Sequence, residues 1–184
     1  MASLKRIFKK SEKKPKPGDL HDAVRLGSLE TVKALLSKGL DVNEKENDGS
    51  TPLILAARAG HADIARFLLE NGATVNGHDR NGVTALNWAA HWGFPEIVTM
   101  LVDKGADLNA KDRWDYTPLM WAAHYGHVDC AKVLVGKGAA LDPQDKRGCT
   151  ALYLADTLNH PEVAALIKAA APKPPAGVPK PPKP

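Results

Sequence analysis

The chain has 184 residues, of which 43% are apolar and ten are aromatic, enough for one folded domain with a sizeable core. No run of about 18 apolar residues occurs, so no segment is suited to cross a bilayer as a helix. The net charge of +4 is unevenly spread: residues 1–17 carry seven Lys/Arg and one Glu, residues 172–184 carry three Lys, and fifteen basic face twenty acidic residues between them. Basic ends on an acidic body argue against nucleic-acid binding, which places positive charge on the folded face.

The first predicted element is a basic N-terminal arm over residues 1–17, read as solvated and disordered. Its opening "MASLKRIFKKSEKKPKPG" has no continuous apolar stretch of the kind a secretory leader needs. Ala2 takes the place of the glycine that N-myristoylation requires. "LKRIFKK" sets Leu4, Ile7 and Phe8 against Lys5, Arg6, Lys9 and Lys10, a basic amphipathic pattern suited to an anionic membrane surface. Membrane contact through residues 1–17 is therefore the alternative, and the lysine run also suits nuclear import.

From residue 18 the chain repeats itself. Thr51, Thr84, Thr117 and Thr150 are spaced by 33 residues, as are Gly60, Gly93 and Gly126, and Leu53, Leu86, Leu119 and Leu152. Each block predicts a helix capped by its Thr, with Pro52 or Pro118 in the first turn, where a missing N–H does no harm. A short helix with paired alanines follows, then a glycine, then a second helix such as "HADIARFLLENG", with Ile64, Phe67 and Leu68 at helical spacing. Gly72 supplies a left-handed stop. The link "ATVNGHDRNG" is rich in turn residues and predicts a hairpin-like loop. Asp79, Asp112 and Asp145 recur at repeat spacing, which predicts loop stabilisation in place of a catalytic dyad. One such unit cannot bury its own apolar face, whereas a stack can. The chain closes on "PKPPAGVPKPPKP", residues 172–184, predicted to be an extended, disordered Pro/Lys-rich tail with PxxP spacings, a spacer by default and an SH3-like ligand by alternative.

The recurring "TPLxxAAxxGH" and "GAxxN" patterns resemble those of ankyrin-repeat proteins. The resemblance covers residues 18–171 and implies an all-α solenoid of five helix–turn–helix repeats, at about 18–47, 48–80, 81–113, 114–146 and 147–171. Repeat one carries Asp22 and Arg25 on its first helix, as an N-terminal cap facing water would. Repeat five has Asp156 and Asn159 where earlier repeats have Ala and Gly. Asp115 stands at a turn-glycine position, tolerable because Asp enters the left-handed region more readily than most residues. Phe94 replaces the histidine of the "GH" step, where a structural hydrogen bond is expected of His61 and His127.

Seven of the ten aromatics lie between Trp88 and Tyr125. Trp88 and Trp121 share a column with Leu55 and Leu154 and are assigned to the core with Phe67. Tyr153 falls in a mixed column and is left open. Trp92 and Tyr125 end the first helices of repeats three and four, beside His91 and His124. The resemblance implies that this position, with the loop residues around the turn, forms the concave contact surface. The loop residues are Arg80, Asn81 and Val83 in one repeat, and Arg113, Trp114 and Tyr116 in the next. Aromatics and arginines of this kind have the composition of a binding hot spot.

The expected function is non-catalytic protein–protein recognition through repeats three and four, by a monomeric, cytoplasmic protein with one partner protein. A membrane-surface adaptor tethered by residues 1–17 is the alternative. No nucleophile, phosphate-loop or zinc motif is present, so no catalytic residue, metal or cofactor is expected. Cys130 aligns with Ile64 and Ile97, predicting a buried small hydrophobe, while Cys149 aligns with loop residues. Both are expected as free thiols.

Overall fold

The computed structural model describes Lys16 and residues 18–171. The expectations for the arm and the tail therefore lie outside the described residues, Lys16 apart. Ten helices are present among the described residues, in five consecutive pairs: α1 Asp19–Arg25 and α2 Leu29–Ser37, α3 Pro52–Ala59 and α4 Ala62–Glu70, α5 Ala85–Trp92 and α6 Pro95–Asp103, α7 Pro118–Tyr125 and α8 Val128–Gly136, α9 Ala151–Thr157 and α10 Pro161–Ala170. Helices pack within each pair and against the corresponding helix of the adjacent pair. The result is the all-α solenoid that the repeat implies.

The local chemistry builds the second to fifth pairs as the sequence predicts. Thr51, Thr84, Thr117 and Thr150 each accept from the amide three residues on, at 3.2–3.3 Å, satisfying one free N–H of the first helical turn. Three of the hairpin loops close on buried aspartates. One oxygen of Asp79 accepts from Asn81 and Val83, one of Asp112 from Trp114 and Tyr116, and one of Asp145 from Arg147 and Cys149, all at 2.8–3.0 Å. Asp115 adopts the left-handed conformation at φ 63°, and Asn159 does so at 62° in the closing repeat.

Two further devices tie one repeat to the next. The "GAxxN" asparagines reach across: Asn43 donates to the Gly72 carbonyl and accepts from Thr74, while Asn76 does the same with Gly105 and Asp107. The imidazole of His127 lies against Gly93 and meets the His91 carbonyl at 3.0 Å, and His160 meets the His124 carbonyl at 3.1 Å. At Phe94 the stacking on Gly60 survives, but a phenyl ring brings no donor.

The core runs continuously through all five pairs, from Leu20 to Ile167, with Ala56, Ala89, Ala122 and Ala155 all at 0% exposure. Cys130 is buried in it as predicted, and desolvation pushes its thiol up to about 12. Both cysteines are free thiols. The core assignment of the aromatics needs correction. Leu55 and Leu154 are buried, but Trp88 and Trp121 in the same column are only half-buried, as is Phe67. An isobutyl group ends inside the alanine-lined space, whereas an indole rooted there extends past it toward the loops.

Candidate functional site

The expected site residues lie at the C-terminal ends of α5 and α7 and in the hairpins that enter them. Gly93 and Gly126 end these helices at φ 75° and 72°. His91 and Trp92 therefore close one helix and His124 and Tyr125 the next, side by side in the stack. Trp92 is 51% exposed, Trp114 41% and Tyr125 45%, large apolar side chains on one continuous surface. His91 is its hub, with ring centroids 4.8 Å from Trp92, 4.7 Å from Trp121 and 4.5 Å from Tyr125. Trp121 lies nearly parallel to Tyr125 at 6.2 Å and meets Trp114 edge-on at 6.5 Å, geometries that aromatic quadrupoles favour.

Two expected residues are not displayed. Tyr116 is 6% exposed and Val83 4%, because the amide of each is bound by the loop aspartate, which turns its side chain under the hairpin. Tyr116 forms a floor instead, 4.7 Å from the Trp121 ring. Arg80 is exposed on the hairpin before α5, and Asn81 beside it is half-buried and accepts from the Arg113 guanidinium at 2.7 Å. Arg113 also lies 4.1 Å over the Trp114 ring, a cation–π contact that holds that indole in place.

A cleft of about 450 Å³ opens over these rings. Trp114, Tyr116, Trp121, His124 and Tyr125 supply its aromatic side, and Asp145, Lys146 and Arg147 from the following hairpin supply the polar side. Sequence reasoning missed Trp121 and the three hairpin residues. The register held a signal for two of them, since Lys146 and Arg147 stand one repeat after Arg113 and Trp114.

Burial sets the electrostatics. Desolvation, then the neighbouring His127 and His124 charges, holds His91 below the ordinary histidine range. Desolvation, then Arg147 and His160, does the same for His124. Burial raises the Asp112 carboxyl, although Trp114, Tyr116 and the Trp121 indole all donate to it. That indole N–H reaches Asp112 Oδ2 at 2.9 Å. Trp88 does not repeat the bond, and its buried Nε1 has no acceptor. The arrangement can grip flat apolar groups and offer them polar contacts at one edge. Among the described residues no group of His, Cys, Asp or Glu is placed to hold a metal ion.

In comparison with known protein families, the family model described as ankyrin repeats, in three copies, aligns with residues 20–112 and 111–174. A search of the curated proteins finds no match. Among the described residues no helix is long and apolar enough to cross a membrane.

Proposed function

The chain belongs to the ankyrin-repeat family, and from that premise we propose that it recognises a partner protein, without catalysis, through the concave face of repeats three and four. Ankyrin repeats generally mediate protein–protein interaction and are typically non-catalytic. The observation that carries the finer reading is the continuous aromatic surface of Trp92, Trp114 and Tyr125, each more than two-fifths exposed. Exposed apolar side chains scattered singly are ordinary, but a connected set of large rings rimmed by cations marks a contact surface. Arg80 and Arg113 add charge along the hairpins and speed association with an acidic surface. The protein acts as a monomer in this reading.

The test is capture of the partner from cell extract by the full chain, set against a Trp92→Ala/Trp114→Ala double variant. Loss of capture by a variant with unchanged circular dichroism and unfolding midpoint supports the reading. Capture that is indifferent to both rings moves the binding surface elsewhere.

A further inference from the structure

The hairpin tips carry a row of cations in repeat register. Arg80, Arg113 and Lys146 are spaced by 33 residues, one on each of three consecutive hairpins, and all three are exposed. Backbone bonds tie the row together, because each amide donates to the preceding hairpin: Arg80 to the Asp48 carbonyl at 2.8 Å, Arg113 to that of Asn81 at 2.8 Å, and Lys146 to that of Trp114 at 3.2 Å. Among the described residues none of the three cations forms an ion pair. The aspartate before each one, Asp79, Asp112 or Asp145, is buried and accepts from amides of its own loop. Asp145 is also paired with Arg147, and Asp115, the remaining acid of these turns, is half-buried. The hairpins spend their acids inward and display their cations.

The row borders the aromatic cleft, which Lys146 and Trp114 both line. Packed helices stand about 8–10 Å apart, so the cations recur at about that interval. A polyproline II chain has three residues per turn and rises about 3.1 Å per residue, so every third side chain returns to one face after about 9 Å. A β-strand returns to one face every second residue, after about 7 Å, and falls out of step with the row. Proline-rich segments in this conformation also pack on aromatic walls. Between residues 18 and 171 the chain carries twenty acidic against fifteen basic residues, which repels a long polyanion such as RNA, whereas a short acidic segment meets only the row. The chain's own proline-rich end, residues 172–184, carries three Lys and would meet like charge.

We propose that the partner presents a proline-rich segment in the polyproline II conformation, with an acidic residue at every third position, along these three hairpin tips. Its carboxylates pair with Arg80, Arg113 and Lys146, and its prolines rest on Trp114 and Tyr125. The inference rests on the recognition role above and names the chemistry of the occupant.

The test titrates the full chain, by proton–nitrogen NMR, with the synthetic peptide acetyl-Glu-Pro-Pro-Glu-Pro-Pro-Glu-Pro-Pro-amide. A second peptide of the same composition, acetyl-Glu-Pro-Glu-Pro-Glu-Pro-Pro-Pro-Pro-amide, puts the acids out of register. The expected result is saturable binding of the first peptide, with shifts at Arg80, Arg113, Trp114 and Lys146, and about fivefold weaker binding of the second. Arg80→Gln with Lys146→Gln, both at exposed positions, should weaken the first about fivefold and leave the unfolding midpoint unchanged. Equal affinity for the two peptides would reduce the row to general charge attraction and overturn the proposal. Shifts on another face, no saturation by about 1 mM, or tighter binding of a uridine decamer would overturn it too. If the peptides fail in any of these ways while partner capture still depends on Trp92 and Trp114, this inference fails alone. Capture indifferent to both rings overturns the broader reading instead.

Discussion

Trp121 and Trp88 occupy one column of the repeat, yet their surroundings differ. The Trp121 ring packs on Tyr116 and its N–H satisfies Asp112, whereas the buried N–H of Trp88 has no acceptor and its ring contacts the Arg58 guanidinium at 5.5 Å. Full burial would set the cost of Trp→Ala at about 3–5 kcal/mol, but both rings are only half-buried. Trp121→Ala should cost about 2–3 kcal/mol, because it also strands a carboxylate oxygen, and Trp88→Ala about 1–2 kcal/mol. Chemical denaturation showing the reverse order would remove the role assigned to the indole–Asp112 bond. Trp92→Ala and Trp114→Ala touch the displayed rings and should each shift stability by no more than about 0.5 kcal/mol. Against the true partner each should weaken binding by about 2 kcal/mol. Early unfolding with intact binding would make these rings packing between hairpins.

At the scale of the helix pair, the turn glycines test how tightly repeats are fitted. Gly93 and Gly105 both have positive φ, 75° and 86°. A Cβ at Gly93 would come 2.5 Å from His127 Nδ1, while one at Gly105 would meet nothing within 4 Å. Gly105→Ala should therefore cost only the left-handed strain of about 1–2 kcal/mol. Gly93→Ala adds overpacking and should reach about 2–5 kcal/mol, lowering the unfolding midpoint the more of the two. Similar midpoints would show that the imidazole moves aside freely and that its bond to the His91 carbonyl contributes little.

The whole molecule is a stack in which each pair leans on its neighbours, so local changes are felt along the line. Protonation is one such change. His91 and His124 are both held below the ordinary histidine range in the fold, each by desolvation first. As pH falls below about 6.5 the unfolded chain takes up protons that the folded chain refuses, so stability should decline from neutral toward acid pH. Thermal unfolding at several pH values checks this, and His91→Gln with His124→Gln should flatten the slope. A stability that rises on acidification would contradict the burial of these rings. Removing residues 147–184 should also lower the urea midpoint and promote self-association, because it uncovers the apolar side of α7 and α8; sedimentation would show it. A truncated chain as stable and monomeric as the parent would mean that the last repeat adds no cover.

The sequence by itself determined the repeat, its caps and its loops. A threonine and an amide three residues on, or an aspartate and two amides of its own hairpin, find each other through short-range geometry that spacing alone records. The Asp115 turn and the burial of Cys130 were legible for the same reason. The tertiary structure decided which rings are floor and which are rim. Val83 and Tyr116 turn inward, and Trp121 emerges partway, because exposure depends on side-chain length measured against the depth of the stacked alanines. The cleft beside Asp145 appeared only when two repeats stood next to each other. Its aromatic side comes from one repeat and its polar side from the hairpin that enters the next, residues that no single repeat holds together.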